Sequence, residues 1–123
     1  MVLACERERD AQLSASVSIE CRRSNLVVEK TKRAKAYSDQ GRAYLDASVY
    51  DKAVEEFKKA NALIAHPDFL YNIAFSYDNQ RSQEEKALDY YQQYLAAAPD
   101  GVMADVSRRR VAKTTKRLRA KNR

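Results

Sequence analysis

Two stretches of this chain share one arrangement of side chains, and this duplication limits the folds that the chain can adopt. Residues 69–99 contain two tyrosine-rich segments with helical spacing, separated by a short polar gap. Residues 34–66 have the same layout. Apolar residues that recur every three to four positions predict amphipathic helices. The sequence therefore predicts one helical hairpin used twice in tandem.

The two stretches match position by position. Their first helices correspond at a spacing of 33 residues, and their second helices at 34, because the second unit has one extra residue in its internal turn. Gly41 lies inside a predicted helix, where glycine costs about 1 kcal/mol relative to alanine. It therefore predicts a place where another helix comes very close. The matched pairs are Tyr37 and Leu70, Gly41 and Ala74, Tyr44 and Tyr77, Ala53 and Ala87, Phe57 and Tyr91, and Ala60 and Tyr94.

On these residues, together with the closing Pro99, the chain resembles the tetratricopeptide repeat family, and in particular short two-repeat bacterial proteins. The unit of that family is a helix-turn-helix of about 34 residues. The resemblance covers about 65 of the 123 residues. It implies an all-α fold in which antiparallel helical hairpins stack as a short right-handed solenoid with a C-terminal capping helix. The two units would span about 34–66 and 67–100.

Composition supports the all-α expectation. The chain has only two glycines and two prolines, which is too few for the turns of an all-β fold. We expect residues 26–101 to hold the two units and a lead-in helix, and residues 102–123 to form a basic capping helix with a frayed tail. Residues 1–25 are predicted to be an irregular or poorly ordered arm, although period-two alternation over 15–19 also suits a short strand.

The predicted helices after the first cover about 50–65, 69–79, 83–98 and 101–120. Ser48, Asp68 and Ser82 precede three of them and are predicted to cap them, since short polar side chains accept hydrogen bonds from the first backbone N–H groups. Tyr94 replaces a small residue expected in the family, so we interpret it as the point where stacking ends. The residues expected to dock the last helix are Met103, Ala104, Val106, Val111 and Leu118.

The two cysteines bear on location. If one helix held both Cys5 and Cys21, they would be about 24 Å apart, which is beyond bridging distance, so Cys21 is interpreted as a buried or idle thiol. Cys5 follows V-L-A, which resembles the end of a bacterial lipoprotein signal. No stretch approaches the roughly 20 apolar residues of a membrane span. As given, the sequence predicts a cytoplasmic protein; the alternative is an exported lipoprotein anchored at Cys5, with its true start upstream.

The sequence predicts a non-enzymatic protein without catalytic residues, cofactor or metal. The single histidine, His66, adjoins a proline in a turn, and no phosphate-binding loop or metal-ligand spacing is present. The resemblance instead implies protein-protein interaction, with an unidentified protein or peptide bound in a concave groove in an adaptor or assembly role. Homo-oligomerisation stays open. The candidate groove residues are Lys35, Ser38, Arg42, Leu45, Tyr71, Asn72, Phe75, Asp78 and Arg110.

The roles of the groove residues differ. Tyr71 and Phe75 lie off the repeat motif, so they either anchor a ligand or pack against the terminal helix. Asn72 corresponds to an asparagine with which chaperone-binding members hold a carboxylate. Ser38 and Arg42 replace the lysine and asparagine that those members also need, so we do not expect a chaperone-type clamp. Arg42 and Arg110 would still attract an acidic peptide.

Charge is distributed unevenly and supports an alternative function. Residues 102–123 carry nine Lys or Arg and one acid, whereas residues 34–101 carry seven bases and eleven acids. A basic segment can bind phosphates by releasing counterions. The alternative is therefore nucleic-acid or anionic-surface binding through the C-terminal helix.

Overall fold

Five helices follow one another along the chain in the computed structural model, which describes residues 15–122, with side chains from residue 21 onward. Within this range there is no strand. Each helix packs against the next in chain order, because the short connections leave room only for antiparallel neighbours. The predicted all-α fold is confirmed. The helices are α1 (Ala15–Asp46), α2 (Tyr50–Leu63), α3 (Pro67–Asp78), α4 (Glu84–Ala97) and α5 (Ala104–Lys121).

The first helix is longer than predicted. α1 runs for 32 residues without a break, so the lead-in helix and the first helix of the first unit are one element. The prediction of an irregular arm was wrong from Ala15 onward, where the chain is helical. Residues 1–14 lie outside the described residues. No glycine or proline precedes Gly41, so nothing interrupts the helix, and the alternation over 15–19 is too short to oppose it.

Cys21 lies near the start of α1 and is not the idle thiol that was expected. It is disulfide-bonded. The expectation assumed that a single helix carries both cysteines, whereas the described part of α1 begins only at Ala15. The alternative of a lipid anchor at Cys5 concerns a residue outside the described range. Of the described helices, none is both long and apolar enough to cross a membrane.

The core forms where α2, α3 and α4 meet and is closed by α1. Phe57 is fully buried and lies directly beneath Gly41 of α1. A Cβ at Gly41 would stand only 2.9–3.0 Å from three atoms of the Phe57 ring. The predicted close approach of another helix at Gly41 is therefore confirmed. The buried core residues are Ala53, Val54, Phe57, Ile73, Ala74, Tyr77, Ala87 and Tyr91.

The duplication extends to the outer surface. The ammonium of Lys52 lies 5.8 Å from the centre of the Tyr44 ring, and that of Lys86 lies 5.6 Å from the Tyr77 ring. Both arrangements are cation-π contacts. Lys58 also donates a hydrogen bond to the Tyr77 hydroxyl at 2.9 Å, and this bond raises the pKa of Lys58. The two units therefore share contacts on their outer surface as well as a buried pattern.

The helix ends differ from those predicted. Ser48 has a positive φ of 59°, and its N–H bonds to the Leu45 carbonyl while that of Val49 bonds to the Tyr44 carbonyl. These two bonds form a Schellman motif, which ends α1. Ser82 also has a positive φ, of 63°, and neither α2 nor α4 has a side-chain cap. Both serines therefore form part of the turns and do not cap the helices that follow.

A different residue caps α3. His66 Nδ1 accepts a hydrogen bond from the backbone N–H of Asp68 at 3.1 Å. Pro67 occupies the first turn, where its missing N–H costs nothing. Asp68 lies in that turn and supplies the bonded N–H rather than the cap. The cap therefore comes from the histidine that precedes the proline.

The last helix docks on α4 through small residues. Ser107 and Thr114 are fully buried and Ala104 nearly so, whereas Val111 packs at the edge of the core. The predicted docking residues Met103, Val106 and Leu118 are only half-buried. Ser107 follows Ala74 by 33 residues, as Ala74 follows Gly41.

Tyr94 does not keep the next helix away. Its side chain is buried, and its hydroxyl accepts a hydrogen bond from the Met103 N–H at 3.1 Å. Gly101 leaves the space that this hydroxyl occupies. Tyr94 was interpreted as the end of the repeat array; in the described residues a single helix, α5, follows it and packs on α4.

Candidate interaction clefts

A first cleft, of about 350 Å³, lies between α1 and the start of α3. Three of the predicted groove residues line it, all from α1. The remaining walls come from α1 itself, from the connection between α2 and α3, and from the first turn of α3. The lining residues are Thr31, Ala34, Lys35, Ser38, Asp39, Arg42, Ile64, His66 and Phe69.

A second cleft, of about 230 Å³, lies where α3, α4 and α5 meet. Four further predicted groove residues line it, three from α3 and one from α5. The lining residues are Tyr71, Phe75, Asp78, Asn79, Tyr91, Val106 and Arg110.

The two clefts occupy equivalent positions in the duplicated pattern. Ser38 and Arg42 line the first cleft, and Tyr71 and Phe75 stand 33 residues later and line the second. The same side of the first helix in each unit therefore builds both clefts. The chemistry differs, since a cation in the first cleft is replaced by an aromatic ring in the second.

The first cleft presents an uncompensated positive charge. Lys35 is paired with Asp39 one turn later on α1, with Nζ and Oδ2 2.8 Å apart. The guanidinium of Arg42 is exposed and forms no hydrogen bond or ion pair within the described part of the chain. The rings of His66 and Phe69, 5.7 Å apart, form an aromatic wall. The arrangement suits an anionic group beside an apolar surface.

The second cleft has a neutralised floor. Arg110 donates from Nε to Asp78 Oδ2 at 2.7 Å, and the Tyr91 hydroxyl donates to the same oxygen at 3.1 Å. The hydrogen bond to Asp78 raises the pKa of Arg110, and burial, followed by the charge of Asp78, raises the pKa of Tyr91. The charge of Arg110 is therefore balanced inside the protein rather than directed at a ligand.

Tyr71 and Phe75 differ in their surroundings, and the ring contacts of Tyr71 are with α4 rather than with the terminal helix that the sequence analysis considered. The Tyr71 ring meets the rings of Tyr91 and Tyr94 edge-on at 5.9 and 5.8 Å, and burial raises the pKa of its hydroxyl. Tyr71 is thus largely a packing residue. Phe75 stacks on Tyr71 at 6.4 Å but keeps 38% of its surface exposed. Phe75 is the side chain of this pair that remains open to a ligand.

Two predicted groove residues line neither cleft. Leu45 packs at the edge of the core, and Asn72 contributes a backbone carbonyl that accepts a hydrogen bond from the Ser76 hydroxyl at 2.7 Å. Ile64 and His66 also line the first cleft, although neither was predicted as a groove residue. Both belong to the connection between the units, whose path cannot be read from helical spacing.

The described residues offer no alternative metal site, since no three of their His, Cys, Asp or Glu side chains are placed to hold an ion. Comparison of the sequence with protein-family models and with curated proteins gives no match. The function must therefore be argued from the geometry and charge of the two clefts.

Proposed function

We propose that this chain is a short tetratricopeptide-type array that acts as a non-enzymatic interaction module. Its ligand is an extended peptide segment of a partner protein, held along the face that carries both clefts, in an adaptor or assembly role. One observation carries the proposal: two open clefts recur at equivalent positions of the duplicated unit, 33 residues apart. A repeated cleft fits a repetitive ligand such as a peptide better than it fits a single small substrate.

The lining residues define what such a peptide would carry. The unpaired guanidinium of Arg42 favours a carboxylate at the first cleft, since Arg forms strong bidentate contacts with carboxylates. Phe75 and the neutralised floor of the second cleft favour a large apolar side chain. Exposed aromatic residues beside such a cleft are typical anchors of interfaces.

Selection from a displayed peptide library tests the proposal and does not require the partner to be identified first. Peptides retained by the full chain would be synthesised and their dissociation constants measured by calorimetry. We expect Phe75→Ala and Arg42→Gln each to weaken binding by about tenfold or more, as loss of an interface anchor does.

Two exposed residues outside the clefts provide matched controls. Leu26→Ala removes an exposed apolar side chain from α1, and Arg81→Gln removes an exposed charge from the turn before α4. Both controls should leave affinity unchanged. Failure to enrich any peptide, or equal losses in cleft and control variants, would contradict the proposal.

A further inference from the structure

The positive charges of α5 divide into two groups in the structure. Arg108 pairs with Asp105 at 2.9 Å, Arg110 with Asp78 at 2.6 Å and Lys121 with Glu84 at 3.0 Å. The other cations of this helix are exposed and form no hydrogen bond or ion pair with any described residue. These unpaired cations are Arg109, Lys113, Lys116, Arg117 and Arg119.

The cations without an ion pair lie on the outward side and at the edges of the helix; Arg117, at one edge, helps to lower the pKa of the Glu84 carboxyl on α4. Arg109, Lys113 and Lys116 follow at intervals of four and three residues, which places them on one side of α5. The docked side is marked by Ser107 and Thr114, both fully buried. A basic face therefore points outward, and we define it by the five unpaired cations.

Small residues separate the cations of the basic face. Ala112, Thr115 and Ala120 line a depression of about 570 Å³ together with Lys116 and Arg119. The depression contains no large apolar or aromatic residue. A broad ligand can therefore approach the helix backbone closely, but no side chain is present to anchor a hydrophobic partner.

The charge and the lack of apolar side chains on the basic face distinguish between possible classes of partner. A second copy of α5 would bring like charges together. Insertion into a membrane requires an exposed apolar face, and the less polar side of α5 is docked on α4. Interfaces with proteins gain most of their energy from buried aromatic and apolar anchors, which this face lacks. Of these classes of partner, a polyanion with a regular backbone is the one that fits the basic face. Binding of a single strand relies on aromatic side chains that stack on bases. The basic face has none, so a duplex fits it better.

We infer that the basic face of α5 binds the phosphate backbone of duplex nucleic acid without reading its sequence. Residues 109–119 span about 15 Å at 1.5 Å per residue. A duplex carries one charge per roughly 1.7 Å, so it presents about nine phosphates along this length. The sequence carries no base-reading motif, so we assign these cations to phosphates rather than to bases. This activity is separate from the peptide clefts, and the same molecule could engage both ligands.

The salt dependence of binding tests the inference quantitatively. The full chain would be titrated into a labelled 20-base-pair DNA duplex of mixed sequence at several KCl concentrations. Each neutralised phosphate contributes about −0.9 to the slope of log affinity against log salt, so five contacts predict a slope of up to about −4.5. We expect Lys113→Gln with Lys116→Gln to reduce the magnitude of that slope by nearly 2 and to weaken binding on the order of tenfold at low salt.

Two controls isolate the basic face. Arg22→Gln with Arg23→Gln removes the same charge from the exposed part of α1 and should leave the slope unchanged. Phe75→Ala should also leave DNA binding unchanged, which separates this result from a failure of the peptide proposal. Absence of binding at low salt, equal effects of the two double variants, or tighter binding to phosphatidylserine vesicles or polyglutamate than to DNA would each overturn the inference.

Discussion

Arg110 and Asp78 lie 32 residues apart in the chain, yet the guanidinium of Arg110 holds one carboxylate oxygen of Asp78 through two nitrogens, at 2.7 and 2.6 Å. The pair joins α5 to α3 across the floor of the second cleft. Only 6% of the Asp78 side chain is exposed, so its charge depends on a partner for stabilisation.

Removing the arginine should therefore destabilise the protein. We expect Arg110→Met to lower the free energy of unfolding by about 2–3 kcal/mol, because hydrogen bonds to charged groups contribute about 1.5–3 kcal/mol. Urea denaturation measures the change. Arg109→Met, at an exposed and unpaired neighbour, should stay within about 0.5 kcal/mol. Adding Asp78→Asn to Arg110→Met should recover part of the loss, and equal stability of the two Met variants would contradict the account.

Gly41 is predicted to tolerate no larger side chain while the Phe57 ring packs against it. Alanine would gain about 1 kcal/mol of helix propensity, but its Cβ would overlap the buried Phe57 ring, and overpacking costs about 1–3 kcal/mol. Gly41→Ala should therefore be net destabilising in the wild-type chain. In a Phe57→Leu background the same change should become stabilising, since the ring is gone. A double-mutant cycle by thermal unfolding checks this change of sign.

Substitution of Ser48 distinguishes its observed role in the turn from the predicted role as a helix cap. With φ at 59°, Ser48 occupies the left-handed region that glycine adopts without strain. Ser48→Gly should raise the free energy of unfolding by about 0.5–1 kcal/mol, because relief of the left-handed conformation, about 1–2 kcal/mol, exceeds the extra entropy that glycine loses on folding. If the hydroxyl capped α2 instead, the same change would cost a few tenths of a kcal/mol. Ser48→Ala, which keeps the Cβ, should not stabilise the protein.

Acid should weaken the attachment of the end of α5. The pKa of Glu84 lies below its usual 4.5, first because its own backbone N–H at the start of α4 bonds the carboxylate, and second because Lys121 donates to it at 3.0 Å. Because the folded pKa is lowered, this contribution is complete above about pH 4.5 and is lost as the pH falls through the folded value.

NMR titration of the Glu84 side chain measures this effect. Lys121→Met should raise the pKa of Glu84 but leave it below 4.5, because the backbone bond remains. Lys116→Met, which removes a lysine that forms no ion pair, should leave it unchanged. An unshifted Glu84 in the wild-type chain would contradict the assignment.

Local sequence patterns predicted the positions of the helices to within a few residues at most ends. The second helix was expected over about 50–65 and runs from Tyr50 to Leu63, and the fourth was expected over about 83–98 and runs from Glu84 to Ala97. Helical spacing and the nearby prolines are local signals, so they were visible in the sequence. Gly41 likewise predicted its close neighbour, because a glycine inside a helix has a cost that needs a reason.

Features that depend on distant partners were not predictable in the same way. The pairing of Asp78 with Arg110 joins residues from different helices; the sequence analysis assigned both to the ligand groove and did not predict that they bind each other. Ser107 and Thr114 are polar, so helical spacing of apolar residues pointed to Val106 instead. The 33-residue step from Gly41 through Ala74 to Ser107 was present in the sequence and would have identified the docked side of α5.

Amide chemical-shift mapping shows whether peptides bind along the face that carries both clefts. A peptide selected by the full chain would be titrated into labelled protein, with Phe75→Ala as the matched variant. We expect shifts concentrated in residues 35–42 and 71–79, and much smaller shifts in Phe75→Ala at the same peptide concentration. Shifts confined to α2, α4 or the basic face of α5, unchanged by Phe75→Ala, would contradict this proposal.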